Sequence, residues 1–254
     1  MNKLTVDKII KHSKDAQTVY SKVSDSFRKN FHLRPTENNI TIVSTLPYAP
    51  MRGLVVAPED LPKKLSEIKK KLPSLLSQSE SKCQEILQEI GFPERKNKSA
   101  LEENIQALFI RGMINGEEEY QGIRFIASEL TLGDRKRFDV VGYKNDTLYI
   151  FELKRSRDTK AAPQAKTYSK YVMANIDSFK KVLAFYPNFP VTCFKQVKGI
   201  AVMPYAERTR YQTWEEWRKA AERLQPSKKH TLDISDIDIW LFKESLAFTK
   251  LLSC

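Results

Sequence analysis

The sequence predicts an α/β protein, and three features carry that expectation. Residues 137–154, RFDVVGYKNDTLYIFELK, read as two β-strands joined by a tight turn. Helical apolar spacing flanks them, with Leu101, Ile105, Leu108 and Phe109 upstream and Tyr168, Val172, Ile176 and Phe179 downstream. Between residues 99 and 204, helical and strand-like segments follow in an order that suits a sheet layered with helices. At 254 residues the chain is long enough to bury a full core, as one large domain or two small ones.

In chain order, residues 3–30 place Leu4, Ile9, Ile10, Ala16, Val19, Tyr20, Val23 and Phe27 on an apolar side, which predicts one or two amphipathic helices. Ile40-Thr41-Ile42-Val43 is a short β element, and Gly53-Leu54-Val55-Val56-Ala57 is a further apolar run. Pro58 and Pro62 precede a helix over 63–76, whose buried stripe is Leu65, Ile68 and Leu72. The polar stretch 74–81 breaks or hinges a helix that resumes at Glu85-Ile86-Leu87. Residues 91–98, GFPERKNK, form a turn-rich basic linker and the domain boundary. That boundary separates a mainly helical N-terminal region, 1–95, suited to DNA binding or dimerisation, from a domain over 96–254. The second part is expected to run as helix 99–115, strands 122–132, 136–144 and 147–155, helix 162–184 and strand 197–204. Ser99 would cap its first helix, with Glu102 as capping-box partner. A helix from Trp214 to Leu224 follows, and then a last strand, 238–242, added at the sheet edge.

Within the hairpin, three charged residues stand where apolar ones belong. Asn145-Asp146 is a two-residue turn signal, because both residue types tolerate positive φ. With those two as the loop, Lys144 faces Thr147, and continuing along the ladder brings Asp139 opposite Glu152. Alternation puts Lys154 on the same face as Glu152. Carboxylates directly opposite one another, with β-carbons about 5 Å apart, repel, and Phe138, Val140, Ile150, Phe151 and Leu153 surround them with apolar groups. A hard divalent cation such as Mg²⁺ resolves that repulsion, since it takes a few carboxylate oxygens and keeps several waters. The competing reading is a solvated hairpin face in which Arg137 stands opposite Lys154.

The chain carries 43 Lys and Arg against 31 Asp and Glu, a net charge of +12. Such an excess attracts polyanions and suits a nucleic-acid binder. Cys83, Cys193 and Cys254 are far apart and show no metal-ligand spacing, which fits a reducing cytoplasm. His12, His32 and His230 are equally scattered and read as surface or packing residues. No apolar run resembles a secretory signal, and none approaches the ~20 residues of a membrane helix. Glycine-rich phosphate loops, G-x-S-x-G elbows and H-E-x-x-H are absent. The expectation is a cytoplasmic, soluble protein that is not an ATPase.

Arg137-Phe138-Asp139-Val140, Glu152-Leu153-Lys154-Arg155 and Gln164-Ala165-Lys166-Thr167-Tyr168, preceded by an acidic helix, resemble the signatures of the PD-(D/E)XK nuclease superfamily. Its RecB-like and NucS-like branches are nearest in pattern. The resemblance covers about residues 99–206 and departs from the pattern at Phe138, where a proline is common. It implies a restriction-endonuclease-like core of order αβββαβ, with a central four-stranded mixed sheet flanked by helices. It also implies Mg²⁺-dependent cleavage of phosphodiester bonds, with Mn²⁺ able to substitute. Residues 96–254 are then the nuclease domain and DNA the substrate, in repair, restriction or defence against foreign DNA. RNA is the alternative substrate, and a catalytically silent nucleic-acid-binding subunit is the rival outside enzymes. A homodimer would suit cleavage of both strands.

The resemblance, together with the needs of phosphodiester hydrolysis, assigns roles. Asp139, Glu152 and the backbone carbonyl of Leu153 would hold the metal. Lys154 would polarise the attacking water or stabilise the phosphoryl oxygens. Glu102 borders the buried stripe of its helix and would reach a second cation or a water, with its neighbour Glu103 as the alternative. Gln164 would orient Lys154, water or a phosphate, and Tyr168, one turn further on, would buttress its helix against the sheet. Arg137, Arg155, Arg157 and Lys160, with Tyr168, are the candidate nucleic-acid contacts, lying where a backbone phosphate must pass.

Overall fold

In the computed structural model, residues 3–94, 101–131, 137–154, 158, 160–204, 237–242 and 248–251 are described, and they form a mixed α/β protein with two sheets. The chain opens with α1 (Lys3–Tyr20) and α2 (Asp25–Asn30), and Ser24 caps the second by accepting the Phe27 N–H. Three antiparallel strands follow in the order β1 (Phe31–Pro35), β2 (Ile40–Ser44) and β3 (Gly53–Val56). Helices α3 (Leu61–Ser77) and α4 (Glu80–Ile90) pack Leu65, Ile68, Leu72, Leu87 and Ile90 against Phe31, Leu33, Ile40 and Ile42 of that sheet. Gly91, at φ 107°, ends α4 in the left-handed conformation that suits glycine.

The N-terminal region is mainly helical, as expected, with a three-stranded sheet among its helices. Strand β1, FHLRP, was not expected, because it carries His32, Arg34 and Pro35 in five residues. It is a strand because both of its faces are covered, so four of the five residues are buried.

The second sheet is built from β4 (Arg124–Thr131), β5 (Arg137–Lys144), β6 (Thr147–Leu153), β7 (Gln196–Pro204), β8 (Asp238–Phe242) and β9 (Phe248–Leu251), in that spatial order. Helix α5 (Leu101–Asn115) precedes it, and α6 (Ala161–Ala174) and α7 (Ile176–Leu183) cross between β6 and β7. The segments thus run helix, three strands, helices, strand. Strand β7 is parallel to both β6 and β8, and the remaining pairs are antiparallel. The sheet has six strands rather than four, and residues 238–242 lie inside β9 rather than at the edge. The expected single helix over 162–184 is two. Asn175, at φ −123° and ψ 26°, breaks it while its amide donates to the Tyr171 carbonyl at 2.9 Å. The Ser99 cap and the expected helix from Trp214 fall outside the described residues.

The hairpin register is the one expected, running from Lys144 opposite Thr147 to Val140 opposite Phe151. Asn145 (φ 46°) and Asp146 (φ 62°) both take the left-handed conformation, which turns the chain with the natural twist of the strands.

Apolar layers cover both faces of the sheet. On one side Phe109, Ile110 and Met113 of α5 meet Phe125, Val140, Phe151, Ile200 and Trp240. On the other, Val172, Phe179 and Leu183 of α6 and α7 meet Phe138, Val141 and Ile150, and Val6 and Ile9 of α1 join the same layer. Gly199 of β7 lies where α6 crosses. A β-carbon there would stand 2.7 Å from the Ala165 carbonyl oxygen, so only glycine lets helix and sheet approach this closely.

Strand β1 sits beside β4. His32 is fully buried, with Nε2 2.6 Å from Ser128 Oγ. Burial, and then the Arg34 charge, hold its imidazole down to about 3, so it is neutral near pH 7. The Asn188 side chain bridges the two strands. Its Oδ1 accepts the Leu33 N–H at 2.9 Å, and its Nδ2 donates to the carbonyls of Leu33 and Ile126, both at 2.8 Å.

Candidate active site

Strand pairing places the carboxylates. β5 pairs with β4 as far as Arg137 opposite Thr131, and β6 pairs with β7 as far as Leu153 opposite Val202. Between them the β5–β6 ladder stops at Val140 and Phe151. The two strands part at Asp139 and Glu152, the next opposed positions. Asp139 Oδ2 then accepts the Leu153 N–H at 2.9 Å, in place of a ladder carbonyl. Lys154 N donates the other way, to Val202 O at 2.8 Å. Backbone N–H and C=O of one strand residue point to the same side, so the Leu153 carbonyl also faces the gap beside Asp139.

The side chains of this gap are desolvated and mutually charged. Glu152 is 2 % exposed, and its Oε1 accepts from Lys154 Nζ at 2.5 Å. Its other oxygen, Oε2, is buried with no hydrogen-bond partner among the described residues. Burial, reinforced by the Asp139 charge, pushes the Glu152 carboxyl up to about 7. Asp139 is also raised by burial, against the pull of the Leu153 N–H and Lys154. Burial works against the Lys154 ammonium, but Glu152 and Asp139 outweigh it and the amine is held above its ordinary value. Tyr168 is raised by burial and then by Glu152 and Asp139, which puts its phenol within the field of the pair. Its ring also meets Phe138 edge-on at 5.1 Å.

Helix α5 contributes twice. Glu102, rather than Glu103, is the exposed glutamate whose charge acts on Asp139, Glu152 and Lys154 together. One turn later, buried Gln106 donates to the Asp139 carbonyl at 2.7 Å and ties the helix to the strand at the gap. Gln106 had not been singled out, although its i+4 spacing from Glu102 puts both on one helix face.

Other candidates are placed less centrally. Gln164 is half-buried on the first turn of α6, and no hydrogen bond joins its amide to Lys154 or either carboxylate among the described residues. Lys160 is exposed just before that helix. Arg137 is exposed and paired with Glu129 at 3.2 Å. Glu129 also pairs with Arg34, and its φ of 46° in the middle of β4 is unusual for a residue with a side chain. Nothing in the local sequence marked it. Arg155 and Arg157 lie outside the described residues.

Among the described residues, no group of three or more Asp, Glu, His or Cys side chains converges as a metal cage. The donors that do converge are two carboxylates and a carbonyl, all oxygen. The unpartnered, buried Glu152 Oε2 is where a cation would relieve both the desolvation and the repulsion. A small hard ion that keeps part of its own water shell fits such a set. No described helix is long and apolar enough to cross a membrane. No protein-family model matches the chain, and neither a curated protein nor a solved structure matches it.

Proposed function

We propose that the protein is a Mg²⁺-dependent nuclease with a restriction-endonuclease-like core, hydrolysing phosphodiester bonds of DNA in repair, restriction or defence against foreign DNA. The observation that carries this reading is the buried, unpartnered Glu152 Oε2 beside Asp139, at the point where β5 and β6 part. An oxygen left unsatisfied in a core costs about 1–3 kcal/mol, more when charged. Such a cost persists where a bound ion offsets it.

When held by Asp139, Glu152 and the Leu153 carbonyl, Mg²⁺ (or Mn²⁺) neutralises charge on the scissile phosphate and acidifies water. The chain's own groups do the rest. The Leu153 N–H and the Gln106 amide fix Asp139, and Lys154 fixes Glu152, so neither carboxylate reorganises during reaction. The Lys154 ammonium stays protonated beside the pair and donates to the phosphoryl oxygens as their charge grows. Glu102, exposed at the rim, orients water, and Gln164 lines the approach from α6. Arg137 and Lys160, with Arg155 and Arg157, track the phosphate backbone, and the net charge of +12 draws the polyanion in.

Purified protein incubated with linear, circular and single-stranded DNA, and with RNA, should give products with Mg²⁺ or Mn²⁺ and none with EDTA. Asp139→Ala and Glu152→Ala should each lower cleavage at least 1,000-fold with DNA affinity little changed, and Lys154→Ala should lower it sharply. Cleavage that survives either carboxylate change would remove the metal assignment. DNA retention without metal-dependent products would leave a binding protein.

A further inference from the structure

A cavity of about 410 Å³ opens beside the carboxylate gap, where α1, the β1–β2 turn and the adjoining ends of β4 and β5 meet. Thr36 and Asn38 come from that turn, and Arg34, Glu129, Thr131 and Arg137 from the strands. Its size matches a single nucleotide rather than a running groove. The cavity is next to the proposed chemistry by register. Val140 pairs with Ser128 and Phe138 with Leu130, so Glu129 stands opposite Asp139 on the neighbouring strand, roughly 5 Å away along the hydrogen-bonding direction.

Two guanidinium groups in this cavity share one carboxylate. Glu129 bonds both Arg34 and Arg137, while Glu37 on the cavity wall is paired with Lys8 at 3.5 Å. One positive charge is left over, and each guanidinium has N–H groups beyond those Glu129 can take. Arg34 is largely buried, and the nearby Arg137 charge disfavours its cation further. Glu129, which pairs with both, has a left-handed backbone that costs of order 1 kcal/mol, and such strain tends to persist at sites that bind.

We infer that this cavity is an anion subsite that seats the terminal phosphate of a nucleic-acid strand, Arg34 and Arg137 gripping it from two sides. A phosphomonoester, with close to two negative charges, matches paired guanidiniums better than the single charge of an internal diester. The N-terminal region thereby becomes part of the substrate site, since Arg34, Thr36 and Asn38 all lie within it. The inference rests on the nuclease reading of the carboxylates and would make the enzyme sensitive to strand ends.

Binding in EDTA isolates this subsite from cleavage. Fluorescence anisotropy with one labelled oligonucleotide carrying a 5′-phosphate, a 3′-phosphate or neither should show at least tenfold tighter binding for one phosphorylated form, and inorganic phosphate should compete it away. Arg34→Gln should remove the preference. Thr131→Glu, an exposed change that leaves the half-buried Arg34–Glu129 pair intact, should remove it too, by placing a negative charge at the cavity. Asp139→Asn should keep it. Equal affinity for all three oligonucleotides, or a preference that survives both Arg34→Gln and Thr131→Glu, overturns the inference. Phosphate preference without metal-dependent cleavage would sink the nuclease reading and leave the subsite standing.

Discussion

Asp139 and Glu152 illustrate a conflict that the fold maintains at single residues. Both are acids in a desolvated gap; burial raises both, and the Asp139 charge raises Glu152 further. Glu152, held up to about 7, has a folded-state value above that of an unfolded glutamate. Its contribution to stability is therefore complete below about pH 4.5 and is lost as pH rises through about 7. Asp139→Asn keeps an acceptor for the Leu153 N–H while deleting one charge. In metal-free protein it should raise the stability measured by urea unfolding by about 1–2 kcal/mol at pH 8, with a smaller gain at pH 5. Mg²⁺ should raise the melting temperature of the unaltered protein, and the same change should abolish that increase. A variant less stable than its parent at pH 8 would show that the gap is not strained by charge. These two acids and Lys154 were legible in the sequence because strand alternation and a two-residue turn fix facing positions arithmetically. Arg34 and Glu129 were not, because their pairing joins segments 95 residues apart and depends on how β1 docks on β4.

Among elements, β1 docks on β4 through His32–Ser128, Arg34–Glu129 and one side chain that takes up backbone groups of both strands. Asn188 satisfies the N–H and C=O of Leu33 and a carbonyl of Ile126, as a strand neighbour would. Asn188→Ala leaves three backbone groups to find new partners, and at about 1 kcal/mol each it should cost roughly 2–4 kcal/mol. Amide hydrogen exchange would localise the damage, with Leu33 losing protection before the β6–β7 ladder does. Equal loss across both sheets would mean that β1 and β4 melt as one unit. Element types were readable where local chemistry decides them. Asn145-Asp146 announced the β5–β6 turn, and apolar spacing announced α5 and α6. Strand β1 was hidden because burial on both faces, a tertiary fact, makes a strand of FHLRP. The break at Asn175 was hidden because an asparagine within a helical pattern reveals its competing hydrogen bond only in place.

At the scale of the whole molecule, the N-terminal helices and strands are built into the larger sheet. Val6 and Ile9 of α1 pack with Phe179 and Val182 of α7, and His32 is sealed against Ser128. His32 is held down to about 3, well below the ordinary histidine value of 6.5. The folded state thus excludes a proton that the unfolded chain accepts. The His32 contribution to stability is full above about pH 6.5 and falls as pH drops towards 3, by about 2 kcal/mol at pH 5. Glu152 shifts stability the other way over the same range, so the measure is the difference between parent and His32→Gln in how the urea midpoint changes from pH 7 to pH 5, the variant losing only the acid-sensitive part. An unchanged pH dependence in that variant would assign the acid sensitivity elsewhere.

Gly199, two residues along β7 from the partner of Glu152, carries the same dependence to a residue with no side chain. Because α6 rests on the bare backbone there, the missing methyl group acts as a spacer gauge for the whole helix, and Tyr168 and Gln164 ride on that helix. Bulk added at this position would lift them from the acidic pair without altering one charge. The spacing around the acidic pair is thus partly set on the far strand of the crossover, by an absence of atoms.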